Sequence, residues 1–427
     1  MTTPPMKPTT TKPATDTAAR VREWLDARSE EMAELLTLLV AVESENPPGR
    51  ELGHCARVLR DAMDRLWLSP EILPVTAAPA ATDPTTPSGL EEPCVVRGTA
   101  GTPDGEGLVY FHGHFDVVPV QDRGQFTAVR RDGRIIGRGT ADMKGGIVSM
   151  LYGAAAAQEL GLLGSGRVVL HLVCDEETGS VVGAGHLRGA ELIDPAALAM
   201  VTGEPSGGSI WNAARGALSL RVDVRGKEAH VGQADRGVNA FQHMLHIARP
   251  VERYATAMAE RHTAFPMAPE DAPGTMVVVG GLSGGGSNFN VVPGSAYFTV
   301  DGRYNPEEDL EAEAKRLTAL IDGAAREIGA DASVEITQLQ PPAATSSGHP
   351  AAAALARVAS VVQGARPRFE MCAGILETRW YAQLGIPAFG YGAGRLDVSH
   401  GPDEYVDEAA LRRCAEVYAL YAGELLG

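Results

Sequence analysis

The sequence predicts an α/β protein: a mostly parallel sheet with helices on both faces, interrupted by a ferredoxin-like α+β lid and dimerisation domain. Three observations carry that expectation. A chain of 427 residues is too long to close around one compact core, so two domains, or one domain with a large insertion, are required. Apolar strand candidates alternate with helical stretches in the first half of the chain and again near its end, the texture of a parallel sheet covered by helices. Between them, from about Arg215, the apolar pattern becomes strict alternation, which marks strands with one wet face.

Taken in order, residues 1–20 are Thr/Pro-rich, lack the apolar core of a signal peptide and read as a disordered tail. Residues 18–42 are helical in pattern and stop before the paired prolines of "ENPPG". "ELGHCARVLRDAMDRL" is a second amphipathic helix, and residues 76–93 are a Pro/Ala/Thr-rich exposed loop. "GLVYFHGHFDVV", "GRVVLHLVCDE" and "AALAMVTGEP" are strands, with the helix "MKGGIVSMLYGAAAAQELG" after the first. The middle segment then reads "ALSLRVDVRG" (strand), a helix around Pro250 that the proline should kink or divide, "TMVVVGG" and "SAYFTVDGRY" (strands), a helix opened by Pro306, and "ASVEITQL" (strand). That β-α-β-β-α-β order is ferredoxin-like. The helix "AAAALARVASVVQG", the strand "IPAFGYG" and a last helix from about Asp407 resume the α/β texture. The expected domains are therefore 21–213 with 340–427, and a lid over 214–339.

Composition narrows the function. The formal net charge of -17 argues against nucleic acid or an anionic membrane as partner. No apolar run reaches the roughly 20 residues that cross a bilayer. Five scattered cysteines (Cys55, Cys94, Cys174, Cys372, Cys414) have no metal-finger spacing and point to free thiols in a reducing cytoplasm.

Chemistry concentrates at the ends of the expected α/β strands, where open sheets place their ligands. The signals are "GHFDVVP" (His114, Asp116), "GRGTADMKGG" (Asp142), "CDEETGS" (Glu176, Glu177), "TGEPS" (Glu204) and "DVSHGPDEYV" (His400). Singly, each is an ordinary surface or structural group; the ordered set is specific. Two imidazoles with several carboxylates suit divalent cations, zinc first and cobalt or manganese after it. His114 and Asp116 lie two apart on a strand and share a face, so the carboxylate can fix the imidazole tautomer. Glu176 and Glu177 would be separated by strand alternation, so the pair belongs where the strand breaks into the "TGS" turn.

This ordered set resembles the M20 family of metallopeptidases, which includes deacetylases, desuccinylases, aminoacylases and glutamate carboxypeptidases. The resemblance implies that His114 and Glu204 hold one ion and Glu177 and His400 the other, with Asp142 bridging and a cis peptide after it. It casts Glu176 as general base and then general acid. "GKEAHVGQADRGVNA" matches the family's lid motif, whose histidine steadies the oxyanion; here that is His230. In dimeric relatives this residue reaches the partner's site, so a homodimer through the lid is expected. "GGGSNFNVVPG" followed by "DGR" implies substrate contacts from Asn288, Asn290 and Arg303, the last a planar fork suited to a carboxylate. "AGILETRWYAQLGIP" retains Arg379, a further substrate-binding candidate, but departs from the family at Ile375, Leu376 and Glu377, as the lid loop does at Val231 and Ala234.

The implied activity is a two-metal hydrolase removing the acyl group of an N-acyl amino acid. The same chemistry on a dipeptide or C-terminal residue is the alternative. A non-catalytic binding protein would not need Glu176. His112 is expected to fill space or support His114, His171 to be a core histidine, and His243 and His246 to lie on a helix surface or make lid contacts.

Overall fold

The computed structural model describes residues 13–75, 90–267 and 273–427. Its main sheet has nine strands. At its centre Arg167–Val173, Leu108–His114, Ala199–Thr202 and Ala388–Gly390 run parallel as neighbours. Antiparallel pairings extend it outward, through Cys94–Gly101 and Glu71–Pro74 on one side and Ile210–Ala214 with Ala343–Ala344 on the other. Phe369–Cys372 adds a parallel partner to Ile210–Ala214.

Strand Leu108–His114 is buried along its whole length because both faces are covered, which is why it reads as a continuous apolar run. Val109 and Phe111 enter the larger core, formed with helices Leu52–Arg65, Lys144–Glu159, Pro350–Gln363 and Glu408–Leu426. Leu108 and Tyr110 point the other way, to a smaller core with Leu187 of helix Ala184–Gly189 and Tyr381 of helix Thr378–Ala382. Full burial of a side chain such as Phe111 contributes about 1.5–3 kcal/mol.

The lid follows the β-α-β-β-α-β order. Its sheet runs Met276–Gly285, Ser295–Tyr304, Gly216–Arg225, Asp331–Gln340, all antiparallel. Leu218, Leu220, Val222 and Val224 meet helices Ala240–Ala259 and Leu310–Glu327 on one face. The alternate residues, Ser219, Arg221 and Asp223 with cross-strand Asp301, Thr299 and Tyr297, form an opposite polar face. A three-stranded ribbon of Val129–Arg131, Arg134–Ile136 and Tyr405–Asp407 draws the chain after His400 back towards the Asp142 loop.

Several boundaries differ from the sequence expectation. Helix Pro13–Asp26 begins inside the expected tail, whose residues 1–12 lie outside the described residues, as does most of the expected loop 76–93. The helix expected over 18–42 is two, Pro13–Asp26 and Ser29–Val40; the break lets Val21 and Leu25 in one, and Leu36 and Leu39 in the other, all reach the core. Pro250 does not divide Ala240–Ala259, where buried Ile247 and Val251 hold both sides of the proline to the sheet. The next helix starts at Leu310, capped by the Asp309 side chain accepting from the Ala312 N–H, rather than at Pro306.

Candidate metal centre and catalytic cleft

His114 ends its strand, Glu176 and Glu177 follow the strand Arg167–Val173, Glu204 follows Ala199–Thr202, and Asp142 precedes helix Lys144–Glu159. Parallel pairing brings these ends to one edge of the sheet, and His400 arrives from the loop before Tyr405–Asp407. Asp142 turns one oxygen to each imidazole: Oδ1 lies 3.2 Å from His114 Nε2, and Oδ2 3.3 Å from His400 Nε2. Glu204 Oε1 lies 4.0 Å from His114 Nε2, and Glu177 Oε1 3.3 Å from His400 Nε2. The peptide after Asp142 is cis.

The cluster's electrostatics fit cations. Burial pushes Glu204 up to about 8, and the neighbouring Asp142 charge adds to that push. Glu176 is raised by burial and by Glu204, Glu177 and Glu377, against the opposing pull of His114. Burial disfavours the Asp142 carboxylate too, yet its two histidine partners hold it below the usual range. The Asp142 and Glu177 carboxylates, each with an oxygen 3.3 Å from Nε2, push His400 up to about 10. Glu177 Oε1 and Glu204 Oε1 are buried without a hydrogen bond, although such atoms normally find a partner. Ligand atoms of His114, Asp142 and Glu204, and of His114, Glu176 and Glu177, form two groups, each with its atoms within 4.8 Å of one another. Buried carboxylates crowded around two imidazoles are the donor set a pair of divalent ions would neutralise.

The adjacent glutamates lie in a single 3-10 turn, Glu176–Thr178, where the strand has ended. Asp116 holds it: Oδ1 accepts from the Glu176 N–H at 3.3 Å and Oδ2 from the Glu177 N–H at 3.2 Å. The expected Asp116–His114 contact takes a double form. His114 Nδ1 lies 3.1 Å from the Asp116 backbone carbonyl and 3.4 Å from its carboxylate, so Nδ1 carries the proton and Nε2 faces Asp142.

Sequence reasoning missed the residues behind these. Asn46, read only as part of a helix-breaking "ENPPG", is fully buried; its Nδ2 donates to Asp116 Oδ2 and Thr178 Oγ1, both at 2.9 Å. Glu404 accepts the backbone N–H groups of Ala141 and Asp142 at 2.9 and 3.1 Å, and is itself held by Arg138 at 2.6 Å. Lys144 Nζ donates to the carbonyls of Leu39 and Val42, each at 2.9 Å. The one available signal was that Lys144 and Glu404 stand inside motifs already singled out.

His112 donates to or accepts from Tyr381 Oη at 3.0 Å and meets Glu377 at 2.6 Å, with His171 on the same hydroxyl at 2.9 Å. The departure at Glu377 is thus a buried partner of His112, and His171 is a core residue with a polar tie.

Above the cluster, a cleft of about 820 Å³ separates the Glu176–Gly179 turn from the polar face of the lid sheet. Pro47, Ile375, Ser219, Arg221, Asp301 and Arg303 are among its walls. Arg303 pairs with Asp301 at 2.9 Å. Arg379 borders the cleft but is almost wholly buried, and two of its N–H groups go to the Leu376 and Gly179 carbonyls. His230, Asn288 and Asn290 do not line this cleft. They lie together on the lid's far loops, where the Val231 N–H donates to the Asn290 carbonyl. His230 is exposed, its Nδ1 accepting from the Gly232 N–H at 3.1 Å.

A two-histidine, multi-carboxylate cluster at the carboxyl ends of parallel strands, under a ferredoxin-like lid, belongs to metal-dependent hydrolases of amide bonds. The family model for peptidase family M20/M25/M40 matches residues 110–424, and the chain belongs to that family. It is 29% identical over 336 residues to a succinyl-diaminopimelate desuccinylase of Nitrosomonas europaea, covering 75% of this chain and 84% of that one. It is 28% identical over 348 residues to an acetylornithine deacetylase of Myxococcus xanthus, covering 80% and 86%. In fold it is similar to an M20 family metallo-carboxypeptidase from Sulfolobus solfataricus (TM-score 0.71, 17% identity, 92% and 98% of the two chains). An aminopeptidase from Bacillus cereus is similar too (TM-score 0.70, 22% identity, 93% and 99%).

Proposed function

We propose that the protein is a two-metal, zinc-type deacylase of N-acyl amino acids. His114 and Glu204 would hold one ion, Glu177 and His400 the other, and Asp142 both. The observation that carries this is Asp142 offering one carboxylate oxygen to each histidine with Glu176 beside them. The identity of the curated relatives, both named for acyl removal from amino acids, favours deacylation over peptide cleavage.

When bound, the ions supply Lewis acidity that polarises the amide carbonyl and lowers the pKa of an attacking water. Glu176 takes the proton of that water and returns it to the departing amine. Burial and neighbouring carboxylates keep its pKa high; neutralising those neighbours brings it down towards the range where one group can both accept and donate. Arg303, on the cleft wall, holds the substrate carboxylate, and Arg379 shapes the wall through the backbone it binds.

His230 steadies the oxyanion from a second copy of the chain, with Asn288 and Asn290 beside it. Three features support a homodimer through the lid. His230 lies outside the cleft of its own chain. The strand Met276–Gly285 is at the edge of its sheet. A groove of about 900 Å³ runs between that strand and helix Ala240–Ala259, and Phe241 and Leu245 of this helix are exposed. All five cysteines are free and buried, which supports a reducing cytoplasmic setting; among the described residues no helix is long and apolar enough to cross a membrane.

Turnover of N-acyl amino acids and of dipeptides, measured with added zinc, cobalt or manganese, tests the reading. Release of acyl groups in preference to dipeptide cleavage is expected; preference for dipeptides assigns the chain to the exopeptidases instead, and no hydrolysis of either overturns it.

A further inference from the structure

At the far end of the turn bearing Glu176 and Glu177, the carbonyl oxygen of Gly179 is a point of attachment to other elements. Gly179 has φ 110°, a conformation glycine tolerates and other residues resist. The peptide that carries the Gly179 carbonyl also carries the Ser180 N–H, which donates at 2.8 Å to the carbonyl of Asp175, the residue before Glu176. The Gly179 N–H donates to the Glu176 carbonyl at 2.9 Å, so both peptides around Gly179 are tied to the backbone of the turn. The Gly179 carbonyl accepts two hydrogen bonds. Arg379 Nη2, from the catalytic domain, donates at 2.9 Å; Gln340 Nε2 donates at 3.2 Å, from a residue that lies one past the expected lid boundary but closes the final strand of the lid sheet.

Gln340 is well placed for this. It is 6% exposed and paired with Ala217 across the ladder. Its backbone is packed so closely on Gly216 that a Cβ there would lie 2.7 Å from the Gln340 carbonyl oxygen. Reversing the side-chain amide would set oxygen against oxygen at Gly179, so the N–H end must face the carbonyl.

We propose that Gln340 is a lid-borne positioning residue for Glu176 and Glu177. It fixes the Gly179 peptide and, through it, the aim of both glutamates, so the catalytic turn is complete only with the lid in place. The inference rests on the reading of Glu176 as base and Glu177 as ligand. It differs from the grip of Asp116 because the support comes from another domain.

The test compares Gln340→Met, which keeps the length and loses the donor, with Gln340→Asn, which keeps the amide but is too short to reach. Metal-free full-length protein is titrated with cobalt by calorimetry, and deacylation is followed in parallel. In both variants we expect one of the two cobalt sites to weaken about tenfold, in the range that loss of a partner behind a ligand costs, with the other site unchanged. The kcat falls by a similar factor at constant KM. Wild-type cobalt isotherms in both variants overturn the proposal, as does equal weakening of both sites with a lowered melting temperature of the metal-free protein. If the wild-type chain hydrolyses none of the substrates, the functional reading fails, while the cobalt isotherms still decide the role of Gln340.

Discussion

Glu176 and Glu177 are neighbours with different surroundings: Glu177 lies 3.3 Å from His400, while Glu176 makes no side-chain hydrogen bond among the described residues. Glu176→Gln removes only the ability to take and return a proton, so kcat should fall by about 10²–10⁴-fold with two ions still bound per chain, as elemental analysis would count. Asn46→Ala removes one of the two donors to Asp116 Oδ2 and the donor to Thr178 Oγ1, which costs about 1–3 kcal/mol and loosens the turn; lower stability in urea and reduced kcat together are the expected result. Titration gives the sign of a third expectation. Without ions, Glu204 and His400 keep their protons to about 8 and about 10, and cations must displace them. Apparent cobalt affinity should therefore climb as pH rises towards that range, with proton release measurable in buffers of different ionisation heat. At this scale His114, Glu176, Glu177 and Glu204 were legible as candidates because each stands in a polar motif closing an apolar strand, and Asp142 and His400, before a helix and in a loop, through their own polar motifs. Asn46 and Glu404 were not, since their partners lie 70 and 262 positions away and only the folded chain brings them together.

Elements were legible where the period was long and regular. The fully buried strand Leu108–His114 and the alternating lid strand Gly216–Arg225 fall where the apolar pattern puts them. The strand Cys94–Gly101 was missed, its Gly-Thr-Ala-Gly end carrying little strand signal; it exists because Arg167–Val173 offers it an antiparallel ladder. Pro250 also shows packing outweighing local preference. The join between helices is similarly tertiary. Lys144, at the start of Lys144–Glu159, reaches the Leu39 carbonyl at the end of Ser29–Val40 and the Val42 carbonyl just beyond it, adding a charged donor to oxygens near a helix end. Lys144→Met should strip both carbonyls of their charged donor, leaving each with a backbone N–H, and destabilise the fold by about 1–3 kcal/mol, seen as a shifted urea midpoint with an unchanged slope.

At the scale of the whole molecule, the proposed metal cluster and the proposed oxyanion residue of one chain do not meet. The cluster and Glu176 sit under the lid's polar face, whereas His230 projects from the far loops of the same lid beside Asn290. The motifs named both, but no local pattern says whether they meet within a chain or between chains, because that depends on how domains are set against one another. A symmetric dimer would give each site a base from one subunit and an oxyanion donor from the other. Glu176→Gln and His230→Ala dimers should then each be nearly inactive alone. Mixed and allowed to exchange subunits, they would form heterodimers in which one site holds Glu176 and His230 together and the other neither. With half the dimers mixed and one of two sites intact in each, activity should recover to about a quarter of wild type. Recovery that grows with exchange time, in step with heterodimers separated by differently sized tags, places His230 in the partner's site. A mixture that stays inactive after complete exchange would leave His230 without that task and return the oxyanion's stabilisation to groups of the same chain.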